Sequence, residues 1–220
     1  MVCIAHPFDP PVSIPEPTVA AETATPARKR PKPGERRVQI LEALATMLEQ
    51  PGAERITTAA LAARLEVSEA ALYRHFASKA QMFEGLIEFI EQSEFTLVNQ
   101  ITEREPAGTA QAAKTVAMLL QFAEKNPGMA RVMVGDALVF EHERLLARMN
   151  QFFERFESQL RQSLRSAADA AGSATPTVDA NAQASVLTSF AVGRLQRFAR
   201  SGFKRSPTEH LDAALRMLAP

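Results

Sequence analysis

Apolar residues recur at spacings of three and four through almost the whole chain after residue 35, and no segment alternates convincingly with a period of two. Spacings of three and four place side chains along one face of an α-helix, whereas a half-buried strand alternates. The pattern therefore predicts an all-α fold. Proline and glycine interrupt it at Pro51-Gly52, at 106–108 and at Asn126-Pro127-Gly128, and these positions predict helix ends.

Hydroxyl residues in front of the apolar stretches predict where the first helices begin. Thr57 or Thr58 is a candidate N-cap, followed by Ser68 with Leu72 and Phe76 on the buried side of its helix. Another candidate is Ser78, which Gln81 follows at the spacing of a capping box. A long helix is predicted from there through Ile101, with Pro106 and Gly108 as its break.

The second half of the chain predicts further helices. One passes through residues 132–140, and a long amphipathic one through 145–164 carries a coiled-coil-like apolar stripe. Residues 167–179 are rich in small side chains and predict a linker, after which Asp179 is a candidate cap of a helix through Phe198. Ser206-Pro207-Thr208-Glu209 has the pattern of a helix start and predicts a last helix that ends at Leu218.

The charge is distributed unevenly along the chain. The first 34 residues hold eight of the fourteen prolines and end in a basic run with Arg28, Lys29, Arg30 and Lys32, which predicts a disordered tail. Residues 28–80 carry ten basic and six acidic side chains, whereas 81–170 carry nine and thirteen, although the formal net charge is zero. The predicted organisation is a Pro-rich tail over 1–34, a basic module over 35–80 and a helical domain over 81–220.

Composition excludes several functional classes. The single cysteine, Cys3, excludes an intrachain disulfide and a cysteine-based zinc site. No apolar run approaches the length of a membrane span, and the N-terminus lacks the order of a signal peptide, so we expect a cytoplasmic protein without a membrane contact. The histidines lack metal-ligand spacing, and no nucleophile motif or phosphate loop occurs. We therefore expect no enzyme activity, no cofactor and no metal site.

Residues 57–76 predict a helix-turn-helix. Two short helices are separated by about three residues, and closely spaced alanines allow the helices to cross closely. The second helix of such a motif enters the DNA major groove, where small or polar residues at its start approach base edges. Flanking hydroxyl, aromatic and cationic groups hold phosphates. The predicted DNA-binding residues are Thr57, Thr58, Ser68, Glu69, Ala70, Tyr73, Arg74, His75 and Lys79.

Residues 36–83 resemble the DNA-binding domain of the TetR family of regulators. The resemblance is carried by Thr57-Thr58, Val67-Ser68, Leu72-Tyr73, His75-Phe76 and Lys79. It implies a three-helix DNA-binding domain of the helix-turn-helix type at the N-terminus and a C-terminal helical domain for dimerisation and regulation. Glu66 departs from the family pattern, because many members have glycine in this turn.

A closer resemblance, over residues 36–210, is to the nucleoid occlusion factors within this family. Short segments in matching order and spacing carry it, including residues 55–59, 67–76, 86–91, 126–128, 151–155 and 203–208. The resemblance implies a homodimer that binds double-stranded DNA at a palindromic chromosomal site and lies on the nucleoid. It also implies that the DNA-bound protein engages the C-terminal tail of the division protein FtsZ and blocks Z-ring assembly over the chromosome.

The same resemblance implies a groove for the FtsZ tail on the helices behind the DNA-binding domain. Phe89 and Asn126 match groove residues of these factors, and the groove positions of Met118 and Lys125 hold Leu and Arg there. Leu97 and Gln121 stand where those factors have Arg and Gly. The groove of this chain is therefore expected to differ in charge and shape.

A conventional TetR-type repressor is the alternative function, a sensor whose C-terminal pocket binds a small molecule and releases DNA. An enclosed pocket with convergent polar groups would favour the sensor, whereas a filled core and a surface groove would favour partner binding. We expect no small-molecule ligand. A dimer is predicted through the helices around 145–164 and 186–198, because a palindromic site needs two recognition helices and one chain supplies one.

Overall fold

The computed structural model describes residues 34–50 and 55–219. In these ranges the chain forms nine α-helices and no strand, which confirms the predicted all-α fold class. The predicted tail, apart from Gly34, and Pro51-Gly52 lie outside the described residues. The helices are α1 (Glu35–Leu48), α2 (Thr58–Arg64), α3 (Glu69–Tyr73), α4 (Lys79–Arg104), α5 (Thr109–Lys125), α6 (Pro127–Met133), α7 (Glu143–Ala170), α8 (Pro176–Arg200) and α9 (Leu211–Leu218), with a 3₁₀ turn at Asp136–Leu138.

Predicted N-caps begin the helices α2, α3 and α4. Each cap hydroxyl accepts a hydrogen bond from a backbone N–H of the first turn: Thr57 from Ala60 (3.1 Å), Ser68 from Ala71 (3.3 Å) and Ser78 from Gln81 (3.2 Å). Losing such a cap costs about 1 kcal/mol. The return bond at α4 differs from the predicted capping box, because the Gln81 side chain accepts from the N–H of Ala77 and not from that of the cap.

The helices α7 and α8 form a hairpin that packs against α5 and makes the core of the C-terminal half. The apolar stripe of α7 is buried there, with Leu145, Met149, Phe152, Phe156, Leu160 and Leu164 each at most 1% exposed. Burial of one such side chain contributes roughly 1.5–3 kcal/mol. The prediction that residues 145–164 pack between subunits is therefore wrong for this stripe, because its side chains are already buried within one chain.

The predicted linker over 167–179 is wrong, because most of it is helical. The helix α7 continues to Ala170 and α8 begins at Pro176, which leaves only residues 171–175 between them. Alanine, which occupies three of the positions 167–170, has the highest helix propensity, and proline suits the first helical position. Asp179 is therefore not the cap of α8. It lies in the first turn, where its carboxylate accepts hydrogen bonds from the hydroxyls of Ser173 and Thr175.

Other predicted boundaries also shift. The helix predicted through 132–140 ends at Met133, because Gly135 adopts a left-handed φ of 83° and starts the 3₁₀ turn. The last helix begins at Leu211 and not near Ser206, whose hydroxyl is bonded to the Glu124 carboxylate of α5. The helix α3 ends at Tyr73, so Phe76 is buried in the turn that follows the helix.

None of the helices in the described ranges is both long enough and apolar enough to cross a membrane.

Candidate DNA interface and partner groove

A tight turn sets the angle between α2 and α3. Val67 N donates to Ala62 O at 3.0 Å, and Glu66 N donates to Ala63 O at 3.1 Å. Glu66 thereby adopts a φ of 54°, a left-handed conformation that favours glycine. Ala62 is buried where the helices cross. The structure thus places the predicted helix-turn-helix as expected, and it gives the physical reason why glycine suits position 66.

The face that holds the predicted DNA contacts is open to solvent. Seven of the nine predicted residues are exposed, namely Thr57, Ser68, Glu69, Ala70, Tyr73, Arg74 and His75. Half-buried Thr58 donates through Oγ1 to Glu69 Oε2 at 2.5 Å, which joins the start of α2 to the start of α3. The N-terminal end of α3 is therefore accessible to a DNA groove, with its acidic side chain held by a defined partner.

Lys79 differs from the other predicted contacts. Its ammonium forms an ion pair with the Glu141 carboxylate and lies 5.7 Å from the ring centre of Phe83. The Lys79 side chain is 27% exposed and that of Glu141 only 10%. The structure thus ties Lys79 to the loop before α7, so a phosphate contact of Lys79 requires exchange of this ion pair.

Arg37 was not among the predicted site residues, although it lies next to the DNA-binding helices. Its Nη1 donates to the backbone oxygen of His75 at 2.8 Å, and its guanidinium lies 4.1 Å from the ring centre of Phe76. These contacts fix the C-terminal end of α3 to α1. The basic pair at 36–37 signals a cation in the sequence, but nothing local indicates a partner 38 residues away.

Further ion pairs connect α4 to α7. Arg144 Nε lies 2.7 Å from Glu84 Oε1, and Arg148 Nη2 lies 2.6 Å from Glu91 Oε2. The hydrogen bond to Glu91 raises the pKa of Arg148 above its ordinary value. Together with the pair of Lys79 and Glu141, these contacts hold the first half of α4 against the body of the chain.

A surface groove of about 410 Å³ lies where α1, α4 and α6 meet. Its lining is largely apolar and includes two of the predicted partner residues, Phe89 and Asn126. The complete lining is Val38, Leu41, Glu42, Ala45, Thr46, Glu49, Leu86, Phe89, Asn126 and Met129. A cleft of this size and character is typical of a binding site for a small molecule or a peptide segment.

Phe89 is unusually open for a large apolar side chain, with 47% of it exposed. Its ring centre lies 6.4 Å from that of Phe122. Asn126 is half-buried and donates through Nδ2 to the Phe122 backbone oxygen at 2.8 Å. One of the two amide hydrogens of Asn126 is therefore used at the end of α5. The backbone of Asn126 has a φ of −130°, which is outside the left-handed region.

Met118 and Lys125, the other two predicted partner residues, are not among the residues that line this groove. Met118 is half-buried on α5, and Lys125 is exposed at the end of that helix. The α1 side of the groove instead presents the carboxylates of Glu42 and Glu49. The groove thus has an acidic wall, which the resemblance did not indicate.

Gly128, in the first turn of α6, lies against the backbone of α1. A Cβ atom at this position would lie 2.1 Å from the backbone oxygen of Ala45. Only glycine permits this approach, since Cβ contacts below about 3 Å do not occur. The start of α6 is therefore packed directly on the backbone of α1, the first helix of the DNA-binding half.

The interior of the C-terminal half is filled by large apolar side chains and holds one buried carboxyl group. Phe152, Phe156 and Leu187 are each 0% exposed, and so is the side chain of Glu94 on α4. Neither carboxyl oxygen of Glu94 has a hydrogen-bond partner within residues 34–50 and 55–219. Burial raises the pKa of Glu94 from 4.5 to about 8.

Comparison with known protein families and solved structures identifies the class to which the protein belongs. Residues 40–86 match the family model "Bacterial regulatory proteins, tetR family", and residues 109–219 match "Tetracyclin repressor-like, C-terminal domain". The fold is similar to that of the fatty acid degradation regulator FadR of Bacillus halodurans, with a TM-score of 0.67 at 15% identity over 86% of this chain and 96% of that one. FadR of Bacillus subtilis, solved in complex with stearoyl-CoA, gives 0.62 at 14% identity over 83% and 97%. The protein is a TetR-type helical regulator.

Curated relatives narrow the class. The chain is 52% identical over 178 residues to the nucleoid occlusion factor SlmA of Idiomarina loihiensis, which covers 81% of this chain and 90% of the relative. It is 50% identical over 194 residues to SlmA of Escherichia coli O127:H6, over 88% and 98%. The chain belongs to the SlmA family of nucleoid occlusion factors. This confirms the predicted family, supports DNA binding and dimerisation, and favours nucleoid occlusion over the ligand-sensing alternative.

Proposed function

We propose that this protein binds a palindromic chromosomal site as a homodimer in the cytoplasm and, while DNA-bound, engages the C-terminal tail of FtsZ, so that no Z ring or septum forms over the nucleoid. The observation that carries the proposal is the position of the groove. One of its walls is α1, which also holds the end of α3 through Arg37. The groove and the DNA-binding helices therefore share a structural element.

This shared element gives a physical route by which DNA can act on the groove. Contacts of α3 with DNA can change the position of α1, because Arg37 of α1 is hydrogen-bonded to the His75 backbone. The helix α1 in turn contacts the opposite wall of the groove where Gly128 lies against Ala45. DNA that favours one position of α1 also favours one width of the groove, and a tail that fits this width binds the DNA-bound form more tightly.

The chemistry of the groove fits an extended peptide with an apolar segment. The exposed ring of Phe89 and the side chains of Leu86 and Met129 offer apolar contact, while the second N–H of Asn126 Nδ2 can donate to a peptide carbonyl. Lys125, exposed beside Asn126, suits an acidic residue of the tail. Acidic groups are disfavoured on the opposite wall, where the carboxylates of Glu42 and Glu49 would repel them.

In the proposed DNA complex, Ser68, Glu69 and Ala70 approach base edges, and the hydroxyl, aromatic and cationic groups around them hold phosphates. The hydroxyls of Thr57 and Ser68 already accept cap bonds from backbone N–H groups, but each retains its own hydrogen as a donor to a phosphate oxygen. Lys79 contributes only when it leaves Glu141.

The outer face of α8 is the proposed dimer contact. Val178 and Val186 on this face are 64% and 50% exposed, and a Cβ at Gly193 would meet no atom within 4 Å. Ala182 and Ser189, exposed on the same face, are small. Small and apolar residues at these spacings let two helices pack closely.

A matched pair of phenylalanine variants tests the groove. Phe89→Ala removes the exposed ring of the groove, and Phe140→Ala removes a ring that is 59% exposed but does not line it. We expect Phe89→Ala to weaken binding of a fluorescent FtsZ tail peptide at least tenfold, measured by anisotropy with specific DNA present, and Phe140→Ala to leave it within about twofold. Equal affinities of the two variants would place the tail elsewhere.

A further inference from the structure

A second surface with unusual chemistry lies at the C-terminal end of α8. There Arg197, Lys204, Arg205, Ser206 and Glu209 line an open cleft of about 640 Å³, called the α8 cleft below. Its lining contains no apolar or aromatic side chain. Between residues 194 and 205 the chain carries five basic residues and no acidic one.

The turn that leads into the α8 cleft is held in a costly conformation. Gly202 and Phe203 both have left-handed φ values, of 62° and 65°. For Phe203 this conformation costs roughly 1 kcal/mol or more. Packing of its ring holds it, since the ring meets Phe198 edge-on at 5.1 Å and the guanidinium of Arg131 at 5.1 Å.

The backbone on either side of Lys204 and Arg205 is also fixed. Arg205 N donates to Ser201 Oγ at 2.9 Å. After the two cations, Ser206 and Thr208 both donate hydroxyl hydrogen bonds to the carboxylate of Glu124, with Thr208 Oγ1 at 2.7 Å from Oε2. The cations are thus presented from a defined turn and not from a loose loop.

Within the described residues, no side chain neutralises the three cations of the cleft. The side chains of Arg197, Lys204 and Arg205 are exposed and form no ion pair or hydrogen bond with any residue in 34–50 or 55–219. Glu209 is the one carboxylate in the lining. Like charges held together repel each other, so a rigid turn that gathers three cations is unfavourable for the chain alone and favourable once an anion is bound.

We propose that the α8 cleft binds the phosphate backbone of DNA, as a second, sequence-independent contact separate from α2 and α3. The planar guanidinium groups of Arg197 and Arg205 suit two phosphate oxygens each, and Lys204 adds a point charge. The cleft offers no ring on which a base or nucleoside could stack and no apolar pocket for a peptide anchor. DNA is the polyanion that a member of this family meets, and its backbone requires only charge and donors.

The salt dependence of DNA binding tests this contact. We compare the full-length protein with Arg197→Ala/Lys204→Ala/Arg205→Ala, using a long duplex of non-operator sequence and plotting log affinity against log salt concentration. Because each lost phosphate contact reduces the slope by about 0.9, we expect the slope to fall by about two units or more. The control is Arg104→Ala/Arg161→Ala/Arg165→Ala, which removes the same charge from residues outside the cleft, with circular dichroism to verify the fold.

An unchanged slope in the cleft variant, or an equal loss in the control variant, overturns the proposal. So does a variant that binds the duplex normally and loses affinity for a polyglutamate peptide, since that result assigns the cleft to an acidic protein partner. Binding of the FtsZ tail peptide is measured in parallel and should stay within about twofold. The proposal for the α8 cleft and the proposal for the groove are therefore tested by separate measurements.

Discussion

The buried carboxyl group of Glu94 makes the stability of the protein depend on pH. Both oxygens lack hydrogen-bond partners within the described residues, and burial raises the pKa of Glu94 from 4.5 to about 8. Because the folded pKa lies above the unfolded one, the folded state retains a proton that the unfolded state has lost between these two values. This stabilising contribution is fully present below pH 4.5 and is lost as the pH rises through about 8.

The magnitude follows from the two pKa values. In this window the free energy of unfolding falls by about 1.4 kcal/mol per pH unit, or about 4 kcal/mol in all between pH 5 and pH 8. Glu94→Gln removes the titration and keeps the shape. We therefore expect the variant to have nearly the stability of the native chain at pH 5 and to exceed it by about 4 kcal/mol at pH 8.

The free energy of unfolding of both proteins is measured by urea unfolding at constant ionic strength. The protein concentrations are kept equal, because the stability of a dimer depends on concentration. Glu154→Gln, an exposed carboxylate on α7, is the control and should follow the native chain at every pH. A difference between Glu94→Gln and the native chain that stays constant from pH 5 to pH 8 would show that Glu94 is not the source of the pH dependence.

Three other changes test separate parts of the account. Arg74→Ala should weaken DNA binding and lower the slope of log affinity against log salt by about one unit, as for one phosphate contact, whereas an unchanged slope would remove Arg74 from that role. Glu66→Gly should raise the free energy of unfolding by roughly 0.5–1 kcal/mol, because glycine adopts the left-handed turn without strain; a destabilised variant in urea unfolding would contradict this. Val186→Arg should convert the dimer to a monomer in light scattering, and a retained dimer mass would place the contact on another face.

Features that depend on neighbours in sequence could be predicted well. The caps Thr57, Ser68 and Ser78 are local, since each hydroxyl serves a backbone N–H three residues on. The end of α5 is also set locally, because Pro127 directly follows Asn126. By contrast, the start of α9 could not be predicted from its capping pattern, because Ser206 is bonded to a carboxylate 82 residues away.

The candidate site was only partly predictable, because residues far away in sequence determine how its side chains are placed. Lys79 has the spacing of a phosphate ligand, but Glu141, 62 residues on, holds its ammonium. The acidic wall formed by Glu42 and Glu49 depends on how α1 lies against α6, which Gly128 alone permits.

Dependence of FtsZ tail binding on DNA is the central claim, and one titration tests it directly. The affinity of the labelled tail peptide is measured by anisotropy with the specific palindromic duplex, with a non-operator duplex of equal length, and without DNA. We expect the tightest binding with the specific duplex, because contacts of DNA with α3 are transmitted to the groove through α1. Equal peptide affinity under all three conditions would contradict it.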